Sequence, residues 1–145
     1  MRKTSKRPKG LIFAVMLLMV LLTACNQYGD LNESEIENLT VSIVVEDLKD
    51  IRDPHITYKK QDTKALEVIT KAINQAEKVE GIVNVISPDY YVVVNYQDET
   101  KGEDTVKYYS IWLSEEHGSM MDMKDTHTIY TLPSSMIDEL NKYMK

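Results

Sequence analysis

The sequence predicts an α+β domain in two layers: an antiparallel sheet of about five to six strands with two helices, in the order ββαββββα. Three observations predict it. Apolar residues recur at every second position in short runs, as at Val41, Ile43 and Val45 or Tyr109, Ile111 and Leu113, which is the period of a half-buried strand. Two other stretches, from Leu66 to Ala76 and from Met136 to Met144, space their apolar residues three and four apart, the period of a helix with one buried face. Gly81, Gly102 and Gly118, with Pro54, Pro88 and Pro133, all fall between these runs, where elements should end.

The elements follow in order. A first strand spans about 39–46, and Pro54 breaks the chain before a second at 55–59, with Ile56 and Tyr58 on one face. Asp62 or Thr63 suits a helix N-cap, and a helix over about 64–78 carries Leu66, Ile69, Ala72, Ile73 and Ala76, with Gly81 at its stop. The β-branched and aromatic run 90–96 and the strand 105–113 form a hairpin around a polar tip at 97–104. Shorter strands follow at 119–123 and 127–132. Pro133 and Ser134 then open a terminal helix striped by Met136, Ile137, Leu140, Tyr143 and Met144.

The N-terminus has a different character. Residues 1–10 hold Arg2, Lys3, Lys6, Arg7 and Lys9 with no acid, and residues 11–22 carry no charged or polar side chain. That oily run is short of the roughly 20 residues a permanent span needs. It leads into Leu22-Thr23-Ala24-Cys25: an apolar residue for a recognition slot, two small ones for a protease site, and the only cysteine of the chain. This order resembles bacterial lipoproteins, in which the cysteine sulfur receives a diacylglyceryl group and a signal peptidase then cuts before it. The resemblance implies that 1–24 is a cleaved signal peptide, that Cys25 is the lipid attachment, and that 39–145 is one folded domain outside the membrane. Two acyl chains hold a protein stably where one gives only reversible binding. Residues 26–38, polar and acidic, are expected to be a flexible tether reaching about 45 Å when extended and roughly 20 Å as a coil.

Charge narrows the partners. Removing 1–24 takes away five basic residues and no acid, leaving 12 basic against 23 acidic, or −11. That balance excludes a nucleic-acid footprint and opposes anionic headgroups within a Debye length of about 8 Å. The membrane partner is then met through the lipid on Cys25. With its one cysteine lipidated the mature chain forms no internal disulfide, so its stability rests on its core.

Three groups of residues bear on chemistry. His117, Met121, Met123 and His127, near Trp112, are the thioether and imidazole types that select Cu(I), and they form the alternative reading of a metal carrier; the same methionines also suit a core. The hairpin is apolar on both faces: with Tyr109, Ile111 and Leu113 inward, Val106, Tyr108 and Trp112 point the other way. Either a helix covers that second face, or Tyr108 and Trp112 form a platform for a protein, peptide or glycan. For catalysis there is no Gly-x-Ser-x-Gly elbow, no free cysteine in the mature chain, no zinc spacing and no phosphate-cradling glycine loop, and Asp53–His55 and Asp125–His127 are bare pairs. The chain reads as a non-enzymatic binding or sensing domain without a cofactor.

Gly81-Ile82-Val83, Pro88-Asp89-Tyr90, Tyr109-Ser110-Ile111-Trp112-Leu113 and the run from Asp125 to Leu132 together resemble the small YhfM-like lipoproteins of Gram-positive bacilli over about 39–145. The resemblance implies a surface-anchored domain on the outer face of the bacterial plasma membrane. It brings no catalytic or ligand-binding residues to carry over.

Overall fold

The computed structural model describes residues 27–29, 31–44, 54–81, 84–97 and 105–145. The signal segment, Cys25 and the hairpin tip at 98–104 lie outside the described residues. The strands are β1 (Ile36–Ile43), β2 (Ile56–Lys59), β3 (Glu77–Lys78), β4 (Tyr90–Tyr96), β5 (Val106–Leu113), β6 (Gly118–Asp122) and β7 (Tyr130–Thr131). The helices are α1 (Thr63–Asn74) and α2 (Ile137–Met144). All seven strands form one antiparallel sheet in the order β2-β1-β4-β5-β6-β7-β3.

The α+β class and two layers expected from sequence hold, with one strand more than expected. The addition is β3, whose two residues are too short to show any period. They pair with β7 at Glu77–Thr131 and Lys78–Tyr130. The sequence reading carries the first helix through to residue 78, but α1 ends at Asn74. There the side-chain amide turns to the N-terminal segment, donating to the Leu31 carbonyl and accepting from the Leu31 N–H, both at 2.7 Å. Asp62 does sit at the N-cap position of α1. Its carboxylate, however, accepts from the Lys59 N–H at 2.8 Å and makes no cap bond.

One face of the sheet carries the core. Tyr90, Val92, Val94 and Tyr96 alternate with half-buried Tyr91, Val93 and Asn95 along β4, the burial rhythm of a central strand. Their row continues through Leu39 and Val41 of β1, Tyr109 and Ile111 of β5 and Met120 of β6. Leu66, Ile69 and Ile73 of α1 and Ile137, Leu140 and Met144 of α2 belong to the same buried cluster, so both helices cover this face. The helices also touch each other, closing the second layer. Gly118 sits where the chain meets that layer: a Cβ there would come within 2.9 Å of Ile137 Cδ1 and Leu132 Cδ1.

The segment expected to be a free tether behaves differently wherever it is described. β1 starts at Ile36, which is fully buried, and Leu31 is only 7% exposed. Tyr28 N–H donates to the Ala76 carbonyl and Gly29 N–H to the Asn74 carbonyl, while Gln27 bridges to Glu77. The Tyr28 ring packs edge-on against Tyr109 and Tyr130, with centroids 5.8 Å and 5.2 Å away. Composition alone is polar here. Tyr28 and Leu31 nonetheless find the flank of the core beside β3 and the end of α1, and Ile36 opens β1 opposite Tyr96. Among the described residues no helix is long and apolar enough to cross a membrane.

Candidate functional site

The face of the sheet opposite the helices is the candidate surface. Cross-strand register puts Asn38, Thr40 and Ser42 of β1, Tyr91, Val93 and Asn95 of β4, and Val106, Tyr108, Ser110 and Trp112 of β5 on it. Ser119 and Met121 of β6 and Thr131 of β7 complete it, with Ser42, Ser110 and Met121 buried among their neighbours. None of these residues is charged, in a chain of which 28% is charged. Among the described residues charged side chains border it: Lys59 of β2 and Glu77 of β3 at the two margins, Glu37 at the β1 bulge beside Asn38, and Asp89 just before β4. A sheet face that merely meets water would be expected to carry Lys and Glu. Depletion of charge with Tyr, Trp and Met present is instead the composition of an interface centre.

Tyr91 and Tyr108 stack across the β4–β5 pair, centroids 6.1 Å apart and planes 25° from parallel. Burial holds the Tyr91 phenol above its ordinary pKa, and the neighbouring Tyr108 adds to the shift. Tyr108 is still 39% exposed, so this stacked pair offers flat aromatic surface. Trp112 lies further along β5 and is half-buried; its indole N–H donates to the Ile86 carbonyl at 2.8 Å. Asn84, Val85 and Ile86 thus cross one end of the face and, with Trp112, Ser119 and Ile129, line a cleft of about 180 Å³. Tyr108 and Trp112 therefore occupy the outward positions expected of them. The signal that could have added Tyr91 was its alternation against Tyr90 and Val92.

The metal alternative fares differently in space. His117 is exposed in the turn before Gly118, whereas Met121 lies near the other end of β6. Met123 follows that end and is occupied, its sulfur accepting from the Ser110 hydroxyl at 3.1 Å. His127 is exposed in the turn after Met123. His117 is thus separated from the other three by the length of β6, about 13 Å to Met121 at ~3.3 Å per residue. Among the described residues no group of three or more His, Cys, Asp or Glu side chains is placed to hold a metal ion. The Asp125–His127 pair is a turn: Asp125 Oδ1 accepts from the His127 backbone N–H at 3.2 Å. Asp125 is held below the ordinary carboxylate range first by the Thr128 hydroxyl and then by that backbone bond. Asp53, of the other pair, lies outside the described residues.

A comparison with family models adds the ancestry of this surface: the model described as YhfM protein matches residues 40–145, which takes in all of the candidate face but Asn38. The chain belongs to the YhfM family. No curated protein and no solved structure matches it significantly. The YhfM match begins within β1, so Tyr28, Leu31 and the rest of the N-terminal strap precede the matched region.

Proposed function

We propose that this YhfM protein is a non-enzymatic, lipid-anchored binding domain. It is moored through Cys25 on the outer face of the bacterial plasma membrane and docks a protein or peptide partner on the Tyr91–Tyr108 side of its sheet. The observation that carries the docking half is the uncharged outward face, which neither helix covers and which presents a stacked, part-exposed tyrosine pair. Tyrosine gives large contact area at low conformational cost, and the part-exposed Thr40 and Asn95 on the same face add polar groups for hydrogen bonding. The anchor half is supported by the order of basic stretch, oily stretch and Leu22-Thr23-Ala24-Cys25.

The two halves are tested separately. Mass spectrometry of the membrane-bound protein is expected to find Cys25 as the first residue carrying a diacylglyceryl group. An intact Met1 or an unmodified thiol would remove the anchor. For docking, a photo-crosslinking amino acid replaces Tyr108 in one strain and exposed Lys71 on α1 in another. A discrete adduct from position 108 and none from 71 is expected in growing cells. Identical patterns from both, or no adduct from 108, would overturn the partner face.

A further inference from the structure

We infer that Val85, Ile86 and Trp112 form a second membrane contact, resting in the headgroup layer beside the lipid anchor; the inference builds on the reading of Cys25 as lipidated. Ile86 is 81% exposed and Val85 47%, an apolar pair held out over the sheet by the bond from the Trp112 indole to the Ile86 carbonyl. With the half-buried Trp112 ring beside them they make one contiguous apolar patch at the rim of the sheet. The position of the N-terminal strap points to what meets it.

Register ties this rim to the strap. Trp112 pairs with Ser119, Ser119 with Thr131, Thr131 with Glu77, and Glu77 bridges to Gln27. These five residues form one row across the sheet, so Gln27 is four strand spacings from Trp112, about 19 Å at ~4.8 Å each. Cys25 is two residues before Gln27, a reach of at most about 7 Å. Gln27, Tyr28 and Gly29 are held by backbone bonds to Asn74 and Ala76, by the Glu77 bridge and by the buried end of the Tyr28 side chain. The leash between lipid and domain is therefore two residues long and not thirteen. A domain held so closely at one end of the row cannot lift that end off the bilayer, and a modest tilt lowers the other end onto it.

The chemistry of the rim suits a lipid surface. Isoleucine and valine enter the acyl boundary, while the tryptophan ring has the amphipathic character that settles at headgroup level. Both positions that join Trp112 to the β3 edge, Ser119 and Thr131, are uncharged, so the row brings no charge to the lipid until Glu77. With a domain of −11 the contact is expected to be firmest on zwitterionic lipid and weaker on anionic lipid at low salt.

Trp112 is the only tryptophan of the chain and so reports on its own surroundings. The mature protein, with the mass of its Cys25 lipid verified, is reconstituted into phosphatidylcholine vesicles containing nitroxide-labelled phosphatidylcholine. Several-fold stronger quenching of Trp112 by headgroup-level or shallow-chain nitroxide than in vesicles carrying only deep-chain label is expected, together with protection from aqueous iodide. I86D, at a site too exposed to disturb folding, should lose most of the lipid quenching while its circular dichroism and Tm stay unchanged. Full iodide access with no lipid quenching in protein that is lipidated would overturn the contact and leave the anchor standing. Protein whose Cys25 carries no lipid would overturn both. Unchanged quenching in I86D would overturn the role of the rim.

Discussion

The Tyr28 hydroxyl donates to Asp122 at 2.5 Å and therefore accepts from the Tyr109 hydroxyl at 3.2 Å, joining the N-terminal strap to β6 and β5. Burial first, and then the Asp122 carboxylate, hold the Tyr28 phenol far above its ordinary pKa. Burial also raises Tyr58, Tyr90, Tyr91 and Tyr130. A group whose pKa is higher folded than unfolded gives stability that is fully present below the unfolded value. That stability is lost as pH rises past it, because the unfolded chain alone then ionises. Stability is accordingly expected to hold up to about pH 10, the unfolded tyrosine value, and to fall above it. Tyrosinate absorbance should appear together with loss of the circular dichroism signal; titration of all tyrosines in still-folded protein would contradict it. Tyr28→Phe should cost about 1 kcal/mol at neutral pH and make the alkaline fall shallower, as read by urea unfolding at several pH values. None of this was legible in sequence, where Tyr28 stands alone among Gln27, Gly29 and Asp30 with no period to mark it.

At the scale of elements, legibility tracked length and independence from distant partners. β4 runs from Tyr90 to Tyr96, the limits its β-branched and aromatic content set, and β5 differs from expectation by one residue. β7 shrank from the expected 127–132 to Tyr130–Thr131 because Asp125 and its neighbours make turns, with Asp125 N–H donating to the Asp122 carbonyl. The end of α1 was set by Asn74, a residue whose role depends on a segment 43 positions earlier in the chain. Asn74→Ala removes both of its bonds to Leu31 and is expected to cost about 1–2 kcal/mol. The same change should speed hydrogen exchange at Leu31 and the neighbouring Gly29 amide while leaving β4 amides protected. Equal exchange across the strap in wild type and variant would show that the Asn74 side chain does not hold the strap.

For the molecule as a whole, one sheet separates two unlike faces. The helix-covered side holds the cluster from Leu39 to Met144 that must supply stability without a disulfide within the folded domain. The opposite side carries the uncharged surface proposed for docking. Substitutions should divide accordingly. Met120→Ala, at a fully buried inward position, is expected to cost about 2–5 kcal/mol, whereas Tyr108→Ser on the outward side should cost less than about 1 kcal/mol. Urea midpoints at constant m-value measure both, and a large loss at Tyr108 would mean that the outward face is structural. The amphipathic pattern made this division readable, down to which hairpin residues turn outward. Which layer the helices choose was not readable, because both faces of β4 and β5 are apolar enough to accept them.

β3 lies at the opposite margin of the sheet from β1 and β2, the strands that precede it in the chain, and among the strands it pairs with β7 alone. Residues 77–78 thus join the sheet only when residues 130–131 have arrived, although the Gln27 bridge on their other side involves only residues already made. Synthesis delivers residues 77–78 long before residues 130–131, so this margin of the sheet closes only when nearly the whole chain has been made.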